Sequence, residues 1–196
     1  AKSIKDPFKK ATNNNSSQVL IQYPEKYNEV VIKVLAKEFS NGEGGTPIPV
    51  YLKYNQGNDR SWASTLKGMP VRIGAKIKIK LTGSNRELRL LSTAKMKGCY
   101  IKIICNFFDQ YWIDGKNSFV LKNGQSVPME LTEVFKRESY RNQNLLKKIL
   151  GRSIASSSNK VRLKENEYIV LFELGTDIVR LKAYDLQDLV LLLSFK

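Results

Sequence analysis

The stretch Val71-Arg72-Ile73-Gly74-Ala75-Lys76-Ile77-Lys78-Ile79-Lys80-Leu81 has the clearest alternation of apolar and charged residues in the chain. A period of two is typical of a β-strand with one buried face, because successive side chains point to opposite sides of a strand. The aliphatic members of the stretch are therefore expected to face a core, and its arginine and lysines to face outward. The segment Thr82-Gly83-Ser84-Asn85 predicts a turn, and residues 86–91 predict the returning strand of a hairpin.

Short apolar segments separated by turn-forming residues recur on both sides of this stretch. They predict strands near 18–23, 29–39, 47–54, 100–108 and 111–113. A helix fits 29–39 almost as well, but its many β-branched residues favour a strand. Asp114-Gly115 and Asn123-Gly124 are tight-turn dipeptides, so residues 112–127 are predicted to form two short hairpins in series.

The spacing of apolar residues becomes helical after Pro128 and continues to about residue 150. Acidic residues in the first turn, Lys147 and Lys148 near the end, and the following Gly151 suit the two ends of a helix. A break at 142–144 would divide it into two helices. Beyond it we predict strands at 160–174, interrupted at 164–166, and at 178–183, and then a short C-terminal helix capped by Asp185.

These elements predict a β-dominated α+β fold in three parts. Residues 1–17 form a basic tail with little to bury, which is expected to be flexible or to become ordered on a polyanion. Residues 18–128 form a β-rich body, a small antiparallel barrel or sandwich for which an OB-like arrangement is possible. Residues 129–196 form a helix followed by a β-β-α segment.

The composition excludes several kinds of chemistry. The chain has 196 residues, 33 Lys and Arg against 18 Asp and Glu, a net charge of +15 and no histidine. The lack of histidine rules out Ser-His-Asp and Cys-His catalysis, histidine-ligated zinc and a histidine pH switch. Cys99 and Cys105 are about 20 Å apart along one predicted strand, so we expect two reduced thiols. The glycines at 42–45 lack the Lys-Ser/Thr of a phosphate-binding loop, and clustered carboxylates are sparse. We therefore expect a protein that is not an enzyme and uses neither cofactor nor metal.

Apolar runs and the first residues of the chain bear on its location. The longest apolar run, at 189–193, is too short to span a membrane. The N-terminal residues lack the apolar region of a secretory signal. We therefore expect a cytoplasmic protein with no membrane partner.

Positive charge is concentrated in two windows of the sequence. Residues 66–102 contain ten basic residues against Glu87, and residues 136–162 contain eight against Glu138. Lys76, Lys78 and Lys80 would stand about 7 Å apart on one strand face, close to the spacing of phosphates along a nucleic-acid strand. The alternative is a solvated sheet face whose lysines prevent edge-to-edge aggregation, although one or two lysines would suffice for that.

Exposed aromatic rings are the second requirement for binding single strands, because unpaired bases stack on them. Trp62 lies in a polar context and is the best candidate, and Tyr51 shares a predicted strand face with Lys53. Phe107 and Trp112 lie on apolar strands and are expected in the core. The predicted nucleic-acid contacts are Tyr51, Trp62, Arg72, Lys76, Lys78, Lys80, Arg86, Arg89, Lys95, Lys97, Lys136, Arg137, Arg141, Lys147, Lys148 and Arg152.

The function expected from this pattern is non-enzymatic nucleic-acid binding through phosphates, with weak sequence preference and single strands favoured. The choice between DNA and RNA stays open, since recognition of the 2′-hydroxyl depends on geometry. The alternative is a basic structural subunit of a large protein or viral assembly that contacts acidic protein partners. An oligomer or larger complex is compatible with either function. A continuous groove with both lysines and exposed rings would favour nucleic acid, whereas lysines on all sides with apolar patches would favour the assembly.

Overall fold

The computed structural model of the protein describes residues 18–40, 47–57, 61–97, 110–136, 145–155, 158–176 and 186–196. Within these ranges the chain forms twelve strands and two α-helices. The strands are β1 (Gln18–Gln22), β2 (Glu29–Ala36), β3 (Val50–Gln56), β4 (Ala63–Ser64), β5 (Lys76–Lys80), β6 (Glu87–Lys97), β7 (Gln110–Asp114), β8 (Asn117–Lys122), β9 (Ile154–Ala155), β10 (Lys160–Val161), β11 (Glu167–Glu173) and β12 (Leu189–Phe195). The helices are α1 (Met129–Lys136) and α2 (Leu145–Leu150).

The strands form two five-stranded antiparallel sheets and a short ribbon of β9 and β10. In sheet one, the long strand β6 pairs with β3 along one side. Along the other side of β6, β1 pairs with the first half of the strand and β7 with the second half. β4 pairs with β3 and extends the sheet at that edge. Sheet two has the order β5-β2-β12-β11-β8. The β-dominated α+β fold predicted from the sequence is confirmed at this level, and the described strands form no closed barrel.

The main core lies between the two sheets. Its inward side chains alternate with outward ones along β1, β3, β5 and β6, as expected for strands with one buried face. A second core lies on the opposite side of sheet two, where α1 and α2 cover β8, β11 and β12 through Leu131, Leu146 and Leu150. The outward side chains of β5 are exposed, so this edge of sheet two meets solvent.

The C-terminal segment that was predicted to be a helix is the strand β12, so that prediction is wrong. Leu191 and Leu193 belong to the core between the sheets, whereas Val190 belongs to the core under the helices. A strand buried on both faces is apolar at nearly every position and loses the alternation that identifies a strand. Without that alternation, a short apolar run fits a helix equally well.

The two hairpins predicted at 71–91 and at Asp114-Gly115 are also wrong. β5 pairs with β2 while β6 pairs with β1 and β3, and β7 pairs with β6 while β8 pairs with β11. Each turn thus carries the chain from one sheet to the other. The Gln56 side chain stabilises the first crossing, because it donates to the Lys80 carbonyl at 2.9 Å and accepts from the Thr82 N–H at 2.8 Å. Turn residues specify where the chain reverses and leave the pairing partner to tertiary packing.

The alternating stretch at 71–81, which was predicted to be one strand, is a strand only in its second half. β5 begins at Lys76, and Gly74 just before it has a φ of 82°, which interrupts the extended backbone. Val71 is buried as expected, but Ile73 is 60% exposed, so the prediction that it faces the core is wrong.

Strands from both sides of residue 128 share sheet two, because β12 lies between β2 and β11. The predicted body and C-terminal segment therefore do not correspond to separate sheets. The predicted tail, the strands at 100–108 and 178–183, Cys99, Cys105, Phe107 and Asp185 lie outside the described residues. Among the residues that are described, no helix combines the length and apolar character needed to cross a membrane.

Candidate functional site

A row of lysines follows the outward face of β5 at the edge of sheet two. Lys76, Lys78 and Lys80 are exposed and alternate with the buried Ile77 and Ile79. On the neighbouring strand β2, Lys33 is the cross-strand partner of Lys76, while Glu29 is the partner of Lys80. The row is thus extended by a fourth lysine at one end and meets a carboxylate at the other.

A groove of about 750 Å³ lies on the same side of sheet two, between α2 and strands β2, β11 and β12. Its aliphatic lining continues the core under the helices and consists of Leu35, Ile149, Leu163, Ile169 and Leu192. The charged side chains that line it are Lys148, Arg152, Arg162, Lys164 and Glu167.

The lysine row and the groove are adjacent through β2 and β12. Lys33 lies opposite Lys76 on one side and opposite Leu192, in the groove lining, on the other. Three strand spacings of about 4.8 Å separate β5 from β11, so roughly 14 Å separates the row from the far wall of the groove. We call the whole surface the sheet-two basic surface and define its cations as Lys33, Lys76, Lys78, Lys80, Lys148, Arg152, Arg162 and Lys164.

The positive charge of this surface is largely uncompensated by the protein. On the strands that form it, its eight cations are accompanied by the half-buried Glu29 and Glu167, because Glu173 of β11 is fully buried, and the exposed Glu165 lies next to Lys164 in the loop before β11. In the described part of the chain, none of the eight is in an ion pair; the pair that does form, Arg89 with Glu87 at 3.3 Å, lies on sheet one. Such a concentration of like charge destabilises the compact state and attracts polyanions.

A smaller cluster with an aromatic centre lies on the outward face of sheet one. Trp112 on β7 is 52% exposed, and the Tyr51 ring on β3 meets it edge-on with ring centroids 4.8 Å apart. The ammonium groups of Lys53 and Lys95 lie 5.6 and 5.7 Å from the centre of the Trp112 ring. Lys95 is the cross-strand partner of Trp112, so the register of β6 and β7 positions this contact.

The structure divides the residues predicted to contact nucleic acid between these two surfaces. Lys76, Lys78 and Lys80 lie on the same face as Lys148 and Arg152, and Lys147 is the exposed neighbour of Lys148 on α2. Tyr51 and Lys95 belong to the Trp112 cluster instead.

The remaining predicted contacts have other surroundings. Arg86 is half-buried over the Tyr23 ring and donates to the Tyr27 carbonyl at 3.4 Å, while Arg89 pairs with Glu87. Arg72 is exposed in the loop before β5, and Trp62, predicted to be the exposed ring, is half-buried. Four residues lie outside the described part of the chain, wholly or in their side chains: Lys97, Lys136, Arg137 and Arg141.

The expectation that Trp112 packs in the core is wrong. Within β7 its neighbour Ile113 packs against the core between the sheets, so Trp112 faces outward with Asp114. The sequence contained a signal for this orientation, because residues two positions apart on a strand share a face and Trp112 lies two positions from the polar residues Gln110 and Asp114. The other residues absent from the predicted set are Lys33, Lys53, Arg162 and Lys164.

Two buried carboxylates stabilise backbone near the end of β11. Glu173 accepts hydrogen bonds from the N–H groups of Gly175, Thr176 and Leu186, and Asp188 accepts from those of Leu174 and Gly175. Both side chains are occupied with backbone donors, which is a structural role. The described residues contain no group of three or more carboxylate, thiol or imidazole side chains placed to hold a metal ion.

Comparison with known proteins leaves these two surfaces to be interpreted on their own chemistry. The chain matches no protein-family model, and neither a curated protein nor a solved structure is significantly similar to it.

Proposed function

We propose that the protein is a non-enzymatic nucleic-acid-binding protein and that it binds the phosphate backbone with its sheet-two basic surface. One observation carries the proposal: basic residues at 76–80 and at 148–164, which are more than sixty residues apart in the sequence, lie on one face of sheet two, beside and within one groove. Neither window alone covers that surface, and few carboxylates accompany it.

The lysine row on β5 suits a polyanion with a regular charge spacing. Alternate residues on a strand are about 7 Å apart, which is close to the distance between successive phosphates of an extended nucleic-acid strand. Lys76, Lys78 and Lys80 are exposed at this spacing, and the cations of the groove offer further contacts about 14 Å away. Each phosphate contact releases counterions, and this release supplies most of the affinity of sequence-independent binding.

Weak sequence preference follows from the same chemistry. The uncharged part of the groove lining is mostly aliphatic and includes Leu35, Ile169 and Leu192, and the charged side chains that also line the groove are suited to phosphates more than to base edges. Arg152 and Arg162 can each make a bidentate contact with a phosphate. We therefore expect both single strands and duplexes to bind this surface.

The test is a titration of labelled single-stranded DNA, single-stranded RNA and duplex DNA at two salt concentrations. We expect at least one of them to bind, with an affinity that falls steeply as salt rises because several counterions are released. Lack of binding to all three at low salt and micromolar protein would refute the proposal.

A second candidate function, a basic subunit of a larger protein assembly, is favoured by exposed apolar side chains in the segment that precedes the lysine row. Met69 is 57% exposed and Ile73 is 60% exposed, and both lie in the segment that leads into β5. Large apolar side chains that group on a surface are typical of contacts with another protein. This function would be indicated if an acidic protein partner, but no nucleic acid, bound the chain with salt-sensitive affinity.

A further inference from the structure

We propose that the Trp112 cluster is a second nucleic-acid site, which stacks an unpaired base, and that one molecule can therefore hold two nucleic-acid segments at once. This inference rests on the proposed function, because it assigns the first segment to the sheet-two basic surface. It adds a site for single strands and an activity, the bridging of two segments, that the first surface alone would not supply.

The Trp112 ring has the exposure and the support that a stacking platform needs. Trp112 is 52% exposed as a residue although its ring contacts Tyr51, whose edge-on ring restricts rotation from the side of β3. A base that stacks on an exposed aromatic ring gains about 1–3 kcal/mol of affinity, largely independent of its identity. Base pairs of a duplex are already stacked and do not present a free face, so the site would select unpaired bases.

The two lysines beside the ring carry positive charge that can bind the phosphates on either side of a stacked base. Lys53 and Lys95 come from β3 and β6 and have their ammonium groups within 6 Å of the ring centre, at 5.6 and 5.7 Å. A lysine side chain is flexible and can move from a ring to a phosphate when a base takes its place. Asp114 is exposed on the same face and opposes anion binding, so the ring, rather than net charge, must contribute most of the affinity.

The two sites lie on opposite sides of the molecule. Trp112 is on the outward face of sheet one and the lysine row is on the outward face of sheet two, with the core of both sheets between them. A segment bound to one face leaves the other open to solvent. The aromatic ring and the main lysine row thus occupy separate surfaces, which is why two segments, rather than one, fit the arrangement.

Tryptophan fluorescence reports directly on the proposed stacking. The chain has two tryptophans, so the Trp62→Phe variant leaves Trp112 as the sole indole. We expect a short single-stranded oligonucleotide to quench the fluorescence of this variant, whereas a duplex bound at similar occupancy leaves it nearly unchanged. Equal quenching by both, or by neither, would overturn the inference.

Substitution of Trp112 tests the contribution of the ring to affinity. To isolate the Trp112 site, the sheet-two basic surface is first saturated with unlabelled duplex DNA. Under these conditions we expect Trp112→Ala to weaken single-strand binding about 5- to 150-fold, the range that base stacking implies, and to leave binding of the duplex itself within about twofold. Trp112→Phe, which keeps a ring, should recover most of the affinity. The exposed Met129 on α1 offers a control for the loss of a large apolar side chain, and Met129→Ala should leave single-strand binding unchanged. If Trp112→Ala binds single strands as the wild type does, the site is not a stacking platform.

A capture experiment tests bridging and separates it from the proposed function. Duplex DNA on beads is saturated with protein, washed, and then offered a labelled single-stranded oligonucleotide. Wild-type protein should retain the oligonucleotide, and Trp112→Ala should stay on the duplex while retaining at least about fivefold less of it. Equal retention by the two proteins would refute bridging through Trp112 and leave the proposed function intact. Failure of both proteins to stay on the duplex would instead refute the proposed function.

Discussion

The strongest test of the sheet-two basic surface is to remove charge from its lysine row while keeping side-chain length. In the triple variant Lys76→Gln, Lys78→Gln and Lys80→Gln, the net charge falls from +15 to +12. All three side chains are exposed on β5 and none forms an ion pair with another residue that the structure describes, so the fold should tolerate the change. Because like-charge repulsion along the strand is relieved, we expect the melting temperature to be unchanged or slightly higher.

The effect on binding follows from how many phosphates the three lysines neutralise. If each lysine neutralises one phosphate, the slope of log K against log salt should become shallower by about 2.7 for duplex DNA and about 2.1 for single strands. Between 50 and 200 mM salt, the wild type should then lose about 40-fold more affinity for a duplex than the variant does, and about 20-fold more for a single strand. The assay is fluorescence anisotropy with labelled duplex and single-stranded DNA at four salt concentrations.

A matched control separates the row from net charge in general. The triple variant Lys26→Gln, Lys67→Gln and Lys116→Gln removes three exposed lysines from other parts of the surface and has the same net charge. We expect its salt slope to change by less than one unit. If the row variant keeps the wild-type slope, or if the slope falls by the same amount in both variants, the row is a solvated sheet edge and does not contact phosphates.

Three predictions concern the fold that positions these surfaces. In Glu173→Gln, one acceptor oxygen of a buried carboxylate becomes an amide donor that faces a backbone N–H. The free energy of unfolding in urea should therefore fall by about 1–3 kcal/mol. An unchanged value would contradict the assigned hydrogen bonds. Leu193→Ala should lower the free energy of unfolding by about 2–5 kcal/mol, because Leu193 is fully buried between the sheets. Leu192→Ala should lower it less, because Leu192 lies in the groove lining and is half-buried. The reverse order would contradict the register of β12. Burial raises the pKa of the Tyr23 phenol above 10.0, and this effect outweighs the opposing influences of the Arg86 guanidinium and the Gly83 backbone. The contribution of the neutral phenol to the free energy of unfolding is therefore complete below pH 10 and is lost as pH rises through the folded-state pKa. In parallel denaturation curves, Tyr23→Phe should lose less stability between about pH 9 and 11 than the wild type does.

Local alternation of side chains was sufficient to predict the strands with one buried face. β5 lies within the alternating stretch, because its inward and outward residues differ in polarity, and the predicted strands at 47–54 and 86–91 overlap β3 and the first half of β6. β2 lies within 29–39, for which β-branched residues favoured a strand over a helix. The helical spacing after Pro128 likewise predicted α1 and α2. The same reasoning failed for β12, whose two faces are both buried and whose sequence therefore carries no alternation.

Which strands pair, and therefore which charges meet, depended on long-range packing. The turns at 82–85 and at Asp114-Gly115 are evident in the sequence, yet both connect the two sheets, because each strand they join finds a better partner elsewhere in the chain. For the same reason Lys95 of the first basic window faces Trp112 on sheet one, whereas Lys76 of that window lies on sheet two.

The sequence by itself determined the charge of this protein, the lack of histidine and the lysine alternation on β5, because these depend on residue identity and on a period of two. Only the tertiary structure brought Lys76 and Arg152 to one surface and separated both from Trp112. Residues that are distant in sequence become neighbours because every strand must find an antiparallel partner and every apolar face must be buried in the same packed pair of sheets. Such an outcome depends on the whole chain, and no local pattern of residues contains it.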